Sequence, residues 1–183
     1  MTTTTTYIAF LRALNVGGRT VKMERLRALF AELGLDDVRS YIQSGNVFFR
    51  TAEPDRAALT RRIEEHLAEA LGYPVPTMLR TVDEVAALLD AEPFAGIEAT
   101  PEIRLVVNFL SEPLPADFPV PYTSPKGDYE VIGADAGAAY VVIHLRDGKW
   151  RAGSKLFGAS YRGSATARFL HTTVKILAAA RKA

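Results

Sequence analysis

Hydrophobic positions in the first half of the chain switch between the spacing of strands and the spacing of helices. A continuous apolar run from Tyr7 to Leu14, broken by Arg12, predicts a buried strand. Apolar residues then recur at helical spacing up to Gly34, which predicts an amphipathic helix with Thr20 as its N-cap. The other elements expected in this half are a hairpin of 38–43 and 46–50, a helix from Pro54 to Gly72, a strand at 75–80 and a short helix opened by the capping box Thr81–Glu84.

The second half of the chain carries the same order of elements in a weaker form. A strand is predicted over 103–110, and a second hairpin over 128–133 and 138–145. The stretch 113–125 is rich in proline and predicts a loop where the first half has a helix. A final helix is expected from about Ser164, because apolar residues recur there at helical spacing.

The order strand, helix, strand, strand, helix, strand is that of the split βαβ, or ferredoxin-like, unit. The first half follows this order, and the second half follows it with a degraded first helix. We therefore predict an α+β protein made of two ferredoxin-like (βαββαβ) units, the second one degraded. The expected units are residues 1–92 and residues 93–183, the latter with the C-terminal helix.

Two glycine-containing turns are expected to meet at one edge of the first predicted sheet. The first turn (residues 12–22) follows the first strand, and the second turn (residues 43–46) precedes the third. In a βαββαβ sheet the third strand lies antiparallel between the first two, so these two ends are adjacent. Amide N–H groups, cations and polar side chains would converge there and suit a small anionic or polar ligand, although glycines in tight turns also have a purely structural explanation. The ligand-binding residues expected in the two turns are Arg12, Asn15, Gly17, Gly18, Arg19, Lys22, Ser44, Gly45 and Asn46.

Basic residues near the carboxyl end are expected to complete the same anion site. Arg168, His171 and Lys175 fall at i, i+3 and i+7 of the predicted final helix and would form a stripe on one face. The ligand-binding residues predicted in this half are Lys155, Arg168 and Lys175. The alternative interpretation of the stripe is a solvated helix face.

The composition is that of an ordinary globular protein. The chain has 183 residues, 48% of them hydrophobic and 23% charged, with a net charge of +1. This balance does not favour a nucleic-acid binder that acts through bulk charge, so nucleic acid is the less favoured partner. The amino terminus lacks the apolar segment of a signal peptide, and no run approaches the ~20 residues of a membrane span, so a cytoplasmic protein without membrane contact is expected.

The residues capable of catalysis do not indicate a particular reaction. Cysteine is absent and the three histidines show no metal-ligand spacing, so neither a metal nor a cofactor is predicted. No serine has the G-x-S-x-G context of a nucleophile elbow. The sequence therefore assigns no catalytic residue and leaves enzymatic activity and oligomeric state open. Two alternatives to a small-ligand binder also stay open, a nucleic-acid-binding module and an interaction or dimerisation domain without a ligand.

Two segments of the first half resemble the DUF1697 family of uncharacterised bacterial proteins. They are Leu11-Arg-Ala-Leu-Asn-Val-Gly-Gly18 and Tyr41-Ile-Gln-Ser-Gly-Asn-Val47, and the tripeptide Glu92-Pro-Phe94 extends the resemblance. The resemblance implies a pair of ferredoxin-like α+β units and a family without an assigned biochemical function.

The carboxyl end departs from the family pattern. In the last helix the family tends to have Arg-Asn-Trp-Asn-Thr-Val, whereas residues 168–173 read Arg-Phe-Leu-His-Thr-Thr, so the Asn-Trp pair is absent. The segment Ser154-Lys155-Leu156 resembles the family's Ser-Lys element.

Overall fold

The computed structural model describes residues 2–150 and 155–182. Within them the chain forms four α-helices and two antiparallel sheets, so the protein belongs to the α+β class. In chain order the elements are β1 (Thr5–Leu11), α1 (Met23–Ala31), β2 (Asp36–Ser40), β3 (Asn46–Thr51), α2 (Arg56–Leu71), β4 (Thr77–Thr81), α3 (Val82–Asp90), β5 (Ile103–Leu110), β6 (Tyr122–Thr123), β7 (Tyr129–Ala134), β8 (Ala138–His144), β9 (Ala165–Phe169) and α4 (Leu170–Arg181). None of the helices in these ranges is long and apolar enough to cross a membrane.

The chain divides into two compact units. The first contains the described residues up to Ala87 and those from Lys175 onward, and the second is Leu88–Val174. The last turns of α4 therefore belong to the first unit, together with β1 to β4.

The first sheet has the strand order β2-β3-β1-β4. β3 runs antiparallel to both of its neighbours, so β1 and β2 are parallel to each other, and β4 runs antiparallel to β1. Apolar side chains from one face of this sheet pack against the apolar stripes of α1 and α2. The core includes Tyr7, Ala9, Leu11, Val47, Phe49 and Leu79 from the sheet, and Leu26, Leu29, Phe30, Leu59, Ile63 and Leu67 from the helices.

Both ends of α2 carry the usual local sequence signals, whereas the start of α1 does not. Asp55 caps α2 by accepting the Ala58 N–H at 2.9 Å, and Gly72 ends it in the left-handed conformation with φ of 82°. The predicted cap of α1 at Thr20 is wrong, because Lys22 is the N-cap and makes no side-chain capping bond. The chain stays extended for longer because Val21 is buried and its N–H donates to the Asn15 side chain at 2.8 Å.

The second sheet has the order β6-β7-β8-β5-β9, with all neighbours antiparallel. Apart from the two-residue β6, its strands are ordered second, third, first, fourth along the chain, as in the first sheet. Loops rather than helices cover one face of this sheet, because no α-helix lies in the described parts of 111–128 and 145–164. Instead Phe118 and Phe157, which meet edge-to-face with ring centroids 6.1 Å apart, pack on the apolar face of the sheet.

The helix predicted from Ser164 begins later, at Leu170, because residues 165–169 form β9. This strand buries Thr166 and Arg168 and exposes Ala167 and Phe169. The side chains that point inward are therefore polar, which hides the alternation that normally reveals a strand. The expected helical stripe of Arg168, His171 and Lys175 is accordingly wrong.

Arg39 of β2 is hydrogen-bonded to the C-terminal turn of α4, within the first unit. Its guanidinium donates to the carbonyl oxygens of Ala179 at 3.1 Å, Ala180 at 3.2 Å and Lys182 at 2.6 Å. Carbonyl groups at a helix C-terminus lack partners within the helix and carry the negative end of its dipole, so a cation stabilises them.

We expect Arg39→Ala to lower the free energy of unfolding by about 1–3 kcal/mol, because it removes charge-assisted hydrogen bonds to three carbonyl groups. Urea unfolding followed by circular dichroism measures this loss. Arg25→Ala is the control, since Arg25 makes only an exposed 3.7 Å ion pair with Glu32 and should change stability by less than about 0.5 kcal/mol. Equal losses in the two variants would contradict the capping role.

The predicted capping box at the start of α3 is present. Thr81 N–H donates to the Glu84 carboxylate at 2.8 Å, and Glu84 N–H donates to the Thr81 hydroxyl at 3.0 Å. Arg56 also reaches this carboxylate at 2.7 Å. Partial burial alone would raise the pKa of Glu84, but the hydrogen bonds from Arg56 and Thr81 and the charges of Arg56 and Arg80 lower the pKa below its ordinary value.

A carboxyl group whose pKa is lower in the folded state stabilises the protein above its unfolded pKa and loses this contribution as the pH falls. We therefore expect Glu84→Gln to flatten the fall in Tm of the wild type below about pH 4.5. Arg56→Met should remove much of the same pH dependence, and the double variant should add little more. Thermal unfolding between pH 3 and 7 tests this, and an unchanged acid slope in Glu84→Gln would contradict it.

Candidate functional site

Three chain segments meet where β1 ends. Leu11 N–H donates to the Gly45 carbonyl at 2.9 Å on one side, and Arg12 N–H donates to the Pro76 carbonyl at 2.9 Å on the other. We define the rim as the first turn (residues 12–22), the second turn (residues 43–46) and residues 72–77, which lead into β4. The rim lies entirely in the first unit.

Asn15 joins the two turns of the rim. Its side-chain amide donates to the Gln43 carbonyl at 3.0 Å, while its side-chain oxygen accepts the Val21 N–H at 2.8 Å. One residue thus closes the first turn on itself and holds it against the second. The contact between the turns agrees with the topological argument made from the sequence.

The second turn is held from inside by Asn46. This side chain is fully buried and donates to the Tyr41 carbonyl at 3.3 Å and the Ser44 hydroxyl at 3.0 Å. Tyr41 N–H in turn donates to the Asn46 carbonyl at 3.1 Å. In the structure Asn46 therefore shapes the turn, and Ser44 is its exposed partner.

The glycines of the two turns are required for different reasons. Gly17 and Gly18 have φ of 67° and 81°, and a side chain at either position would meet open space. Gly45 has φ of 76°, but a Cβ there would also lie 3.1 Å from the Leu11 Cβ. The first pair serves backbone conformation alone, whereas Gly45 also permits close packing of the second turn on β1.

Tyr73 is a rim residue that the sequence did not reveal. Its hydroxyl donates to the Leu14 carbonyl at 2.9 Å, and the Arg19 guanidinium lies 4.2 Å from its ring centroid. The place of Tyr73 near the first turn could in principle be predicted from the topology, because β4 is antiparallel to β1 and so begins beside the end of β1. Tyr73 fixes both the course of the first turn and the position of its most exposed arginine.

The rim carries positive charge without compensating carboxylates in its own segments. Residues 1–23 and 38–52 contain no Asp or Glu. Across the described ranges, no carboxylate forms an ion pair with the rim cations, which are Arg12, Arg19 and Lys22. From outside these segments, the Glu64 carboxylate contacts the rim by accepting the Thr77 N–H at 2.8 Å.

Backbone donors accompany these cations. In the part of the chain that the structure describes, no acceptor takes the N–H of Gly17 or Gly18. The first turn of α1, which begins at Met23, likewise has N–H groups without a side-chain cap. Amide groups of this kind, next to cations, are the donors that hold phosphate and carboxylate groups at loops and helix starts.

The matches to known proteins include the rim but extend well beyond it. The family described as "Protein of unknown function (DUF1697)" matches residues 4–140. The chain belongs to this family. The solved structure of the conserved bacterial protein SP0830 from Streptococcus pneumoniae is similar, with a TM-score of 0.72, 23% sequence identity, and coverage of 98% of this chain and 100% of that one. At this identity the likeness concerns the fold alone. The comparison with curated proteins gives no significant match.

The DUF1697 match includes the whole rim and ends before the three basic residues expected to complete the site. Lys155 and Arg168 lie in the second unit, and Lys175 is an exposed residue of α4 with no described contact to the rim. Ser154 lies outside the described residues. Arg168 is buried on β9, where it donates to the Thr166 hydroxyl at 2.9 Å and burial lowers its pKa to about 10.

The two glycine turns predict different responses to an added methyl group. We expect Gly17→Ala to lower the free energy of unfolding by about 1 kcal/mol, from its positive φ alone. Gly45→Ala should lower it by about 2–3 kcal/mol, because the new Cβ also presses on Leu11. Urea unfolding of both variants measures the two losses of free energy. Equal losses would contradict the close packing of the second turn on β1.

Proposed function

We propose that the protein binds a small anionic or polar ligand at the rim of the first unit. The observation that carries the proposal is the contact between two glycine turns whose segments contain three cations and no carboxylate. A surface with this excess of donors attracts an anion and offers it hydrogen bonds from fixed backbone groups.

The rim residues have separate roles in this proposal. Arg12 and Lys22 supply charge, and Arg19 supplies charge from a position set by its stacking on Tyr73. Gly17 and Gly18 supply amide N–H groups. Four residues hold these donors in place, namely Asn15, Ser44, Gly45 and Asn46. The proposal uses the rim only, so Lys155, Arg168 and Lys175 do not enter it.

We further propose that both units are ferredoxin-like. The first has the order β2-β3-β1-β4 with helices after β1 and β3, which supports this assignment. The second has the equivalent order β7-β8-β5-β9 and a helix after its last strand, as the first has α3 after β4. Neither crossover contains an α-helix within its described residues, which accounts for the degraded appearance of this unit in the sequence.

Two features support a small ligand over nucleic acid. RNA-binding sheets of this topology stack bases on exposed aromatic side chains of the central strands. Here the aromatic residues of β3, Phe48 and Phe49, are 1% and 0% exposed. The net charge of +1 also provides little general attraction for a polyanion.

Inorganic phosphate is the simplest probe of this site. We expect phosphate to raise the Tm of the full chain in a saturable manner, because a ligand that binds the folded state stabilises it. The triple variant Arg12→Ala, Arg19→Ala, Lys22→Ala should lose this increase. Arg50→Ala is the matched control, since Arg50 is an exposed arginine near the opposite end of β3.

The proposal fails if phosphate has no effect on the wild type, or if its effect persists in the triple variant. A titration with a single-stranded oligonucleotide covers the alternative function. Binding of the oligonucleotide that weakens steeply with salt, in the absence of phosphate binding, would favour a nucleic-acid module instead.

A further inference from the structure

Two large aliphatic side chains are exposed in the rim or directly beside it. Val16, in the first turn, is 60% exposed, and Ile42, immediately before the second turn, is 48% exposed. Most large hydrophobic residues of the described chain are buried, so two exposed ones beside a cationic rim are a distinctive combination.

These two side chains flank the contact that joins the turns. Asn15 precedes Val16 and Gln43 follows Ile42, and the Asn15 amide donates to the Gln43 carbonyl at 3.0 Å. The covalent geometry of the two turns then limits the separation of the Val16 and Ile42 Cα atoms to less than about 17 Å. The two exposed side chains therefore belong to adjoining turns at one edge of the sheet.

Ile42 is also an unfavourable residue for its own backbone. Its φ is +50°, a left-handed conformation that β-branched residues rarely adopt and that glycine or asparagine adopts readily. Burial does not offset this strain, because about half of the side chain faces solvent. The stability of the free protein thus gives no reason for an isoleucine at this position.

From these observations we infer that the ligand of the rim is an amphiphilic organic phosphate. Its phosphate group contacts the cations, which are Arg12, Arg19 and Lys22, and its apolar or aromatic part packs on Val16 and Ile42. The inference rests on the proposed function, since it needs the rim to bind an anion. Three cations match a phosphate dianion better than a single carboxylate, and the exposed aliphatic side chains of the adjoining turns offer an apolar group of the ligand a surface to cover.

Phenyl phosphate and inorganic phosphate separate the two parts of this ligand. By isothermal titration of the full chain, we expect phenyl phosphate to bind about tenfold or more tightly than inorganic phosphate, because only the ring buries apolar surface. The double variant Val16→Ser, Ile42→Asn should bind both probes with the weaker affinity of inorganic phosphate. Val174→Ser is the control, since Val174 is a valine of similar exposure, 50%, on α4, and it should leave both affinities unchanged.

The single variant Ile42→Asn provides a second test in case the double variant of Val16 and Ile42 does not fold normally. Asparagine tolerates positive φ, so we expect the Tm of this variant without ligand to be equal to or higher than that of the wild type. A higher Tm together with a loss of the phenyl phosphate preference is the pattern expected of a residue retained for binding. A lower Tm would show that Ile42 stabilises the fold, and would overturn the argument from strain.

The outcomes distinguish this inference from the function on which it rests. Equal binding of the two probes, with loss of both in the triple cation variant, overturns the apolar contact and leaves the anion site intact. Failure of both probes overturns the anion site as well. Vesicles of phosphatidylcholine with phosphatidylserine test a lipid source of the same chemistry. Binding to these vesicles without binding of phenyl phosphate would overturn a soluble ligand.

Discussion

β1 is hydrogen-bonded on both sides, to β3 on one and to β4 on the other, and both neighbours run antiparallel to it. Its end therefore lies beside the starts of two other strands, and three connecting segments must share one edge of the sheet. The bonds from Leu11 to Gly45 and from Arg12 to Pro76 are the last rungs of these two ladders. Without this double pairing the cations of the first turn would lie on an isolated loop, with neither the second turn nor Tyr73 to position them.

The two sheets share one strand order, although among the described residues only the first sheet has helices in its crossovers. In the second sheet, loops carrying Phe118 and Phe157 bury the apolar face that α1 and α2 bury in the first. Strand order is maintained by backbone hydrogen bonds and by alternation of side chains, which do not depend on what covers the sheet. Replacement of the helices by loops is thus compatible with retention of the strand order.

Elements with regular patterns could be predicted from the sequence, and β5 was predicted with its observed bounds. Meeting of the two turns was also predictable, because it depends on topology alone. The start of α1 was not, since it depends on a hydrogen bond between Asn15 and Val21 that no local pattern encodes. The strand character of residues 165–169 was missed because Thr166 and Arg168 point inward. Tyr73 was missed because its partners, Leu14 and Arg19, are distant in sequence.

Several unfavourable features occur together at the rim, and their combination is informative. Ala13 and Ile42 have positive φ without being glycine, Val16 is largely exposed, and the cations lack carboxylate partners in their own segments. Each feature alone is common on protein surfaces, and none of them stabilises the free chain. A turn that served only as a connection would need none of them, since glycine, asparagine and serine satisfy the same backbone geometry. Exposed apolar surface and uncompensated charge at one edge accord with the proposed binding role, because a ligand that contacts them would bury the apolar side chains and pair the charges.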